Sequence, residues 1–218
     1  MLVPIVTIAS SKGGSAKTTT AALLAARLAA DGVSVAVVDA DPNGSFARWA
    51  DRYYEGPAIE VRAEAEEGAL ARTIAQLAKT HAAVLVDTAG FATRSALLAI
   101  ASADAVLIPV LPGEAELHEA ERTARLVEDA ATAARRPIPS RVLVSRTKKT
   151  TLVRHALAEL DSAGLPRLTA TLGDRTAFAS LFFGGPAVFS GSSPEAEEVA
   201  ALLAELRGLG WLPEAPVR

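Results

Sequence analysis

Nine residues, Ser11-Lys12-Gly13-Gly14-Ser15-Ala16-Lys17-Thr18-Thr19, restrict this chain more than any other stretch of it. They follow an apolar run at 3–9 and precede an alanine- and leucine-rich stretch at 21–30 that reads as helix. A strand, a small-residue loop and a helix N-terminus in that order form an anion cradle. Glycines let the backbone approach the anion, successive amides point inward, and the helix dipole favours negative charge. In this pattern Lys17 reaches the β- and γ-phosphates of a nucleotide and the Thr18 hydroxyl ligates Mg²⁺. Gly13, Gly14, Ser15, Ala16 and Thr19 complete the nucleotide-binding set. Lys12 adds a second positive charge at the front of the loop, which an ordinary phosphate loop lacks.

The remaining sequence predicts how that loop is housed. Strand-like runs occur at 3–9, 33–39, 59–62, 82–87, 105–111, 141–145 and 168–171. Several are unbroken Val/Ile/Leu runs, as expected of parallel strands covered on both faces. Helices are predicted over 18–31, 45–54, 67–80, 94–101, 114–134, 151–163 and 175–183, with a last one after Ser193-Pro194 that stops near Gly208. This alternation predicts an α/β, doubly wound, mostly parallel sheet with helices on both faces. The 218 residues suit one domain, 1–212, with a frayed tail at 213–218.

Composition narrows the function classes. A net charge of −3 excludes a globally basic nucleic-acid binder but leaves room for a local basic patch. No cysteine is present, which excludes disulfides and thiolate metal sites. His81, His118 and His155 are widely spaced and form no metal pattern. No apolar run approaches the roughly 20 residues needed to span a bilayer, and Lys12 and the glycines interrupt the apolar start as a secretory signal. A cytoplasmic protein is expected.

Ligands of a doubly wound sheet gather at the carboxyl ends of its strands. Asp39 and Asp41 fall at the end of the second predicted strand, and Asp87 at the end of the fourth. A carboxylate there holds Mg²⁺, usually through water, so Thr18 and Asp87 make a sufficient protein set. Asp41 is then free to position an attacking water. The plainer alternative makes Asp39 and Asp41 solvated turn residues or a helix cap.

The loop 12–19 resembles the deviant Walker A motif of ParA/MinD-type ATPases. Asp39-Ala40-Asp41-Pro42-Asn43-Gly44 is similar to that family's second acidic motif, and 84–90 to its Walker B segment. The late segments Asp174-Arg175-Thr176-Ala177-Phe178 and Gly185-Pro186-Ala187-Val188 also resemble ParA proteins. The resemblance implies a slow, partner-stimulated ATPase that uses ATP and Mg²⁺ and dimerises when ATP is bound. It implies that Lys12 reaches the other subunit's phosphates, that Asp41 orients the hydrolytic water, and that Asp39 supports Asp41 and the metal shell. Arg146 stands where relatives contact the adenine or its surroundings.

The resemblance further implies non-specific DNA binding, segregation of plasmid, chromosomal or other cargo, a nucleoid-associated location and a stimulating partner of the ParB type or a cargo adaptor. VirC-type proteins that assist conjugation are an equal fit within the group. Arg135, Arg136, Lys148, Lys149, Arg154 and Arg167 are the candidate DNA contacts, against the ordinary alternative of a solvated basic face. No membrane partner is expected, because the last predicted helix is acidic where a MinD-like membrane switch needs a basic amphipathic one. Two departures stand out: Ala16 replaces the usual glycine, and Thr88-Ala89-Gly90 replaces a proline pair. Alanine suits position 16 if its φ is near helical, which is the expectation, and strains the loop if φ is positive. A nucleotide-binding module with little turnover is the remaining alternative.

Overall fold

The computed structural model describes residues 3–90, 93–189 and 191–216. Six strands, β1 (Ile5–Ile8), β2 (Val35–Ala40), β3 (Glu60–Ala63), β4 (Ala83–Thr88), β5 (Ala105–Val110) and β6 (Ser140–Val144), form one sheet in the order β3-β2-β4-β1-β5-β6. Every pairing is parallel. The sheet's centre is buried on both faces, which is why β2, β4 and β5 show no polar alternation.

Each crossover is helical and the pleat decides which side it covers. Val35, Val37, Ala83, Leu85 and Leu107 face a core shared by α1 (Lys17–Ala30), α2 (Ser45–Arg52), α7 (Thr176–Ser180) and α8 (Pro194–Gly208). Val38, Val84, Val86, Val106 and Ile108 face α3 (Glu67–Leu77), α4 (Arg94–Ser102), α5 (Glu114–Ala134) and α6 (Thr151–Ser162). α1 is apolar on nearly every side, since the sheet lies beneath it and α8 beside it. Ser193 caps α8 by accepting from the Ala196 amide at 3.2 Å, with Pro194 in the first turn. Val199, Leu202, Leu203 and Leu206 of α8 are buried in the α1 core, so its apolar stripe is already covered. Arg207 ties α8 to the end of α1 through Asp31 at 2.9 Å. Among the described residues, no helix is long and apolar enough to cross a membrane.

Two predicted elements differ. The run 168–171 is not a strand: it lies along β6, where Leu168 and Leu172 donate to Val142 and Val144, but Glu205 of α8 takes the Thr169 and Ala170 amides. The predicted helix at 175–183 is α7 followed by a 3₁₀ turn, Leu181–Phe183, which Gly184 ends at φ 86°. Of the predicted tail, residues 217 and 218 lie outside the described ones, and the Pro213 carbonyl accepts from Arg207 Nε at 2.9 Å.

Candidate functional site

The carboxyl end of the sheet opens into a cleft of about 640 Å³ lined by residues 13–19, Asp41, Pro42, Asn43, Ser45, Ala89, Gly90, Thr93, Arg146 and Phe182. That volume suits a nucleotide-sized ligand. α1 begins at Lys17 with no side-chain cap, so its first-turn amides stay available at the cleft. The Ala16 carbonyl accepts from the Thr20 amide at 2.9 Å and the Thr20 hydroxyl at 2.8 Å, anchoring loop to helix.

Ala16 departs from the expectation of near-helical geometry. Its φ of 71° and ψ of 23° are left-handed, like Gly14 at φ 78°. The Cβ crowds its own carbonyl there, at a cost of roughly 1 kcal/mol. Ala16→Gly is therefore expected to stabilise the protein by about 1 kcal/mol and raise its thermal midpoint by about 2–4 °C. Calorimetry reads this directly, and a lowered midpoint contradicts the strain.

A second close approach sits opposite. A Cβ placed on Gly90 would lie 2.7 Å from Gly13 Cα and N, so the segment after β4 rests directly on the phosphate loop. Only glycine permits that contact.

Strand register sets the acids side by side. Asp39 and Asp87 are paired residues of β2 and β4, and both project toward α1. Asp39 is fully buried, its oxygens accepting from Asp41 N at 3.2 Å and Ala47 N at 2.9 Å. Of the residues expected at the nucleotide site, Asp39 does not line the cleft. It lies behind the cleft and positions the Asp41 turn, and burial raises its pKa. Asp41 lines the cleft, and one of its oxygens accepts from Asn43 N at 2.9 Å.

Both Asp87 oxygens are buried without a hydrogen-bond partner. Burial pushes Asp87 up to about 7, Asp39 and Asp41 add to this, and the nearby Thr18 hydroxyl and Lys17 offset part of it. Lys17 is buried too, and desolvation lowers its pKa against the pull of Asp87 and Asp41. Its Nζ donates to the Lys12 carbonyl at 2.9 Å. An orphaned carboxylate beside a threonine hydroxyl fits a hydrated Mg²⁺, which needs few protein ligands. Among the described residues no cluster of three or more His, Asp or Glu offers a metal cage.

The raised Asp87 value has a sign. Unfolded, the group titrates near 3.8, so between that pH and about 7 the folded state holds a proton that the unfolded state has lost. Stability without metal is then greatest in acid and declines as pH rises toward 7, by an amount on the order of 4 kcal/mol. The raised Asp39 acts in the same direction. In EDTA, the midpoint is expected to rise by about 5–10 °C from pH 8 to pH 5 relative to Asp87→Asn, whose profile lacks this slope. Parallel profiles contradict it.

The front of the loop is held from α5, more than a hundred residues away. Thr123 Oγ1 accepts from Ser11 N at 3.0 Å, and the Glu119 carboxylate accepts from the Ser11 hydroxyl. Lys12 turns away from the cleft and pairs with Glu116 at 2.5 Å, with its side chain 43% exposed.

Arg146, just past β6, lines the cleft with a left-handed φ of 53°. Such strain in a non-glycine residue marks a constrained position. Phe182 and Thr93 also line the cleft and were not picked out from sequence. Phe182 rests on Trp49 at a 6.5 Å ring separation, and Thr93 caps α4.

The candidate DNA contacts split between the two ends of the sheet, because α5 descends and β6 returns between them. Lys148, Lys149 and Arg154 flank an open groove at the carboxyl end, Lys148 pairing with Asp174 at 2.9 Å. Arg135 caps α5 at the opposite end. Arg136 donates to the Ala101 and Ala103 carbonyls, and Arg167 makes a two-point pair with Asp161 at 2.8 and 2.9 Å. Arg136 and Arg167 thus carry intramolecular contacts as well as charge. They hold the fold.

Residues 3–185 match a family model described as VirC1 protein. Protein ParA of Rhizobium radiobacter is 33% identical over 205 residues, 91% of each chain. Protein virC1 of the same organism is 31% identical over 185 residues, covering 81% of this chain and 79% of that one. A solved complex of a McdA variant with ATP from Cyanothece shares the fold, with a TM-score of 0.79 at 15% identity over 100% of this chain and 99% of that one.

Proposed function

Because this chain belongs to the ParA/MinD-type family of P-loop ATPases, we propose that it is a partition ATPase whose ATP-bound form is a face-to-face dimer that holds DNA. One observation carries the reading. Of the loop's two lysines, Lys17 is buried beside Asp87 and Asp41, whereas Lys12 stays outside its own cleft on a half-exposed ion pair. A cation held there can be handed to another subunit.

Hydrolysis breaks the bond between the γ-phosphorus and the bridging oxygen as water forms a new one, giving ADP and phosphate. Asp41 orients that water and draws on its proton, while Asn43 N and the Asp39 carboxylate keep the turn in place. Lys17 and the partner subunit's Lys12 offset the charge spreading over the phosphoryl oxygens. Mg²⁺, held by Thr18 and Asp87, supplies further neutralisation when bound. Arg146 and Phe182 flank the cleft mouth, where the nucleoside rests. Turnover is slow without a partner protein, ParB-like or a cargo adaptor, and the nucleotide state acts as the switch.

Lys148, Lys149 and Arg154 are the DNA contacts on this reading, six cations in a dimer. Six phosphate contacts give a log-log salt slope of about −5. Retention on non-specific duplex DNA should need ATP and show that slope, and replacing all three residues with alanine should remove most of it. DNA binding that ignores nucleotide, or an unchanged slope in the triple variant, contradicts the assignment. Retention on DNA also places the protein on the nucleoid.

A further inference from the structure

Residue 11 marks a boundary in the phosphate loop. The cleft lining starts at Gly13, whereas the two amides before it are engaged away from the cleft. Ser11 N donates to Thr123 Oγ1 at 3.0 Å, and Lys12 N donates to Ser10 Oγ at 3.4 Å. The Ser11 hydroxyl also bonds to α5, donating to the Glu119 carbonyl at 3.2 Å and to its carboxylate. Ser11 and Thr123 are both buried. The Thr123 hydroxyl already donates to the Glu119 carbonyl one turn back at 2.7 Å, so α5 needs nothing from residue 11 for its own sake. The other flank of Lys12 is closed by the segment after β4, since a Cβ on Gly90 would lie 3.0 Å from the Lys12 carbonyl carbon. The lysine's backbone is gripped from two sides, and its side chain leaves along α5 to Glu116.

We propose that Thr123 is a positioning residue: by holding the Ser11 amide it keeps Lys12 aimed out of its own cleft, toward the phosphates of a second subunit. This rests on the cross-subunit role of Lys12 given above. Electrostatics makes such a hold necessary, because phosphate charge beside Gly13 pulls a neighbouring cation inward. A Lys12 released from α5 would fold onto its own nucleotide and be lost to the other subunit. A hydroxyl suits the task, since it accepts from an amide without adding a charge that competes for Lys12. Glu119 is the second and weaker point of attachment, because the Ser11 hydroxyl can turn to Thr123 Oγ1 at 3.1 Å instead.

The test uses mixed dimers of the full chain with ATP. A Lys12→Ala subunit keeps Asp41 and bears the working site, and an Asp41→Ala subunit lends the lysine. Thr123→Val, which keeps the side chain's size and removes the acceptor, is then added to one subunit or the other. In the lending subunit it should lower the recovered turnover about tenfold, since a misplacement of about 1 Å can cost as much as 10²-fold. In the site-bearing subunit, whose lysine is already gone, the fall should be less than about twofold. Thr123→Ser, which retains the acceptor, should restore turnover in the lending subunit. ATP binding by the Thr123→Val monomer, read with a fluorescent analogue, should match the parent within about twofold. Glu119→Ala should repeat the asymmetry at about threefold, and it decides the matter if Thr123→Val does not fold. No loss, an equal loss from either subunit, or a loss confined to the site-bearing one overturns the proposal. If the mixture recovers no turnover before Thr123→Val is added, the cross-subunit lysine itself fails, and the positioning role falls with it.

Discussion

Asp41→Ala is expected to lower ATP turnover by about 10²–10⁴-fold while the protein still binds ATP. The asymmetry follows from where Asp41 sits. It reaches the cleft from the β2–α2 turn, whereas the phosphate cradle is built from residues 13–19 and the start of α1. Removing its carboxylate takes away the group that aims the water and leaves the amides and Lys17 in place. The turn should survive, since Asp39 still accepts from backbone amides at positions 41 and 47. Single-turnover hydrolysis and equilibrium binding of a fluorescent ATP analogue separate the two effects. Turnover within about tenfold of the parent would assign water positioning to another residue.

Lys12→Ala is expected to abolish ATP-dependent dimerisation and turnover together, with nucleotide binding by the monomer little changed. The lysine side chain lies outside its own cleft, and the carbonyl that accepts from Lys17 is kept in alanine, so the subunit's own phosphate loop is left intact. What disappears is the cation that one subunit offers the other, and charge stabilisation of this kind commonly accounts for 10³–10⁵ in rate. Glu116→Gln should act in the opposite direction. A half-exposed ion pair is worth up to about 1 kcal/mol and a dimer frees two of them, so the protein concentration needed for the ATP-bound dimer should fall by up to about thirtyfold. Light scattering with ATP and with ADP measures both variants.

Local pattern made much of this legible. The loop, the two acidic strand ends and the apolar runs of β2, β4 and β5 are contiguous in the chain, and their chemistry follows from residue type and spacing. The less legible features depend on distant contacts. Glu116, Glu119 and Thr123 meet the loop across more than a hundred residues, and nothing in their helical surroundings distinguishes them from a solvated face. Phe182 reaches the cleft only because the segment after α7 folds back over α2. The stretch 168–171 has strand-like composition, yet Glu205 of α8 claims the amides a strand would use. Ala16 looks harmless as a good helix former next to a helix, but the loop's path requires a left-handed residue there. The basic residues after the midpoint read as one cluster along the chain, and β6 carries them to opposite ends of the sheet.

The central claim is that each catalytic centre is completed by the other subunit, and mixing two inactive proteins tests it. In a dimer of one Lys12→Ala subunit and one Asp41→Ala subunit, the site that keeps Asp41 receives its lysine from across the interface. One of its two sites is therefore whole, so each mixed dimer should recover roughly half of parental turnover. If Lys12 instead serves its own subunit, neither site holds both residues, and the mixture stays as inactive as its components.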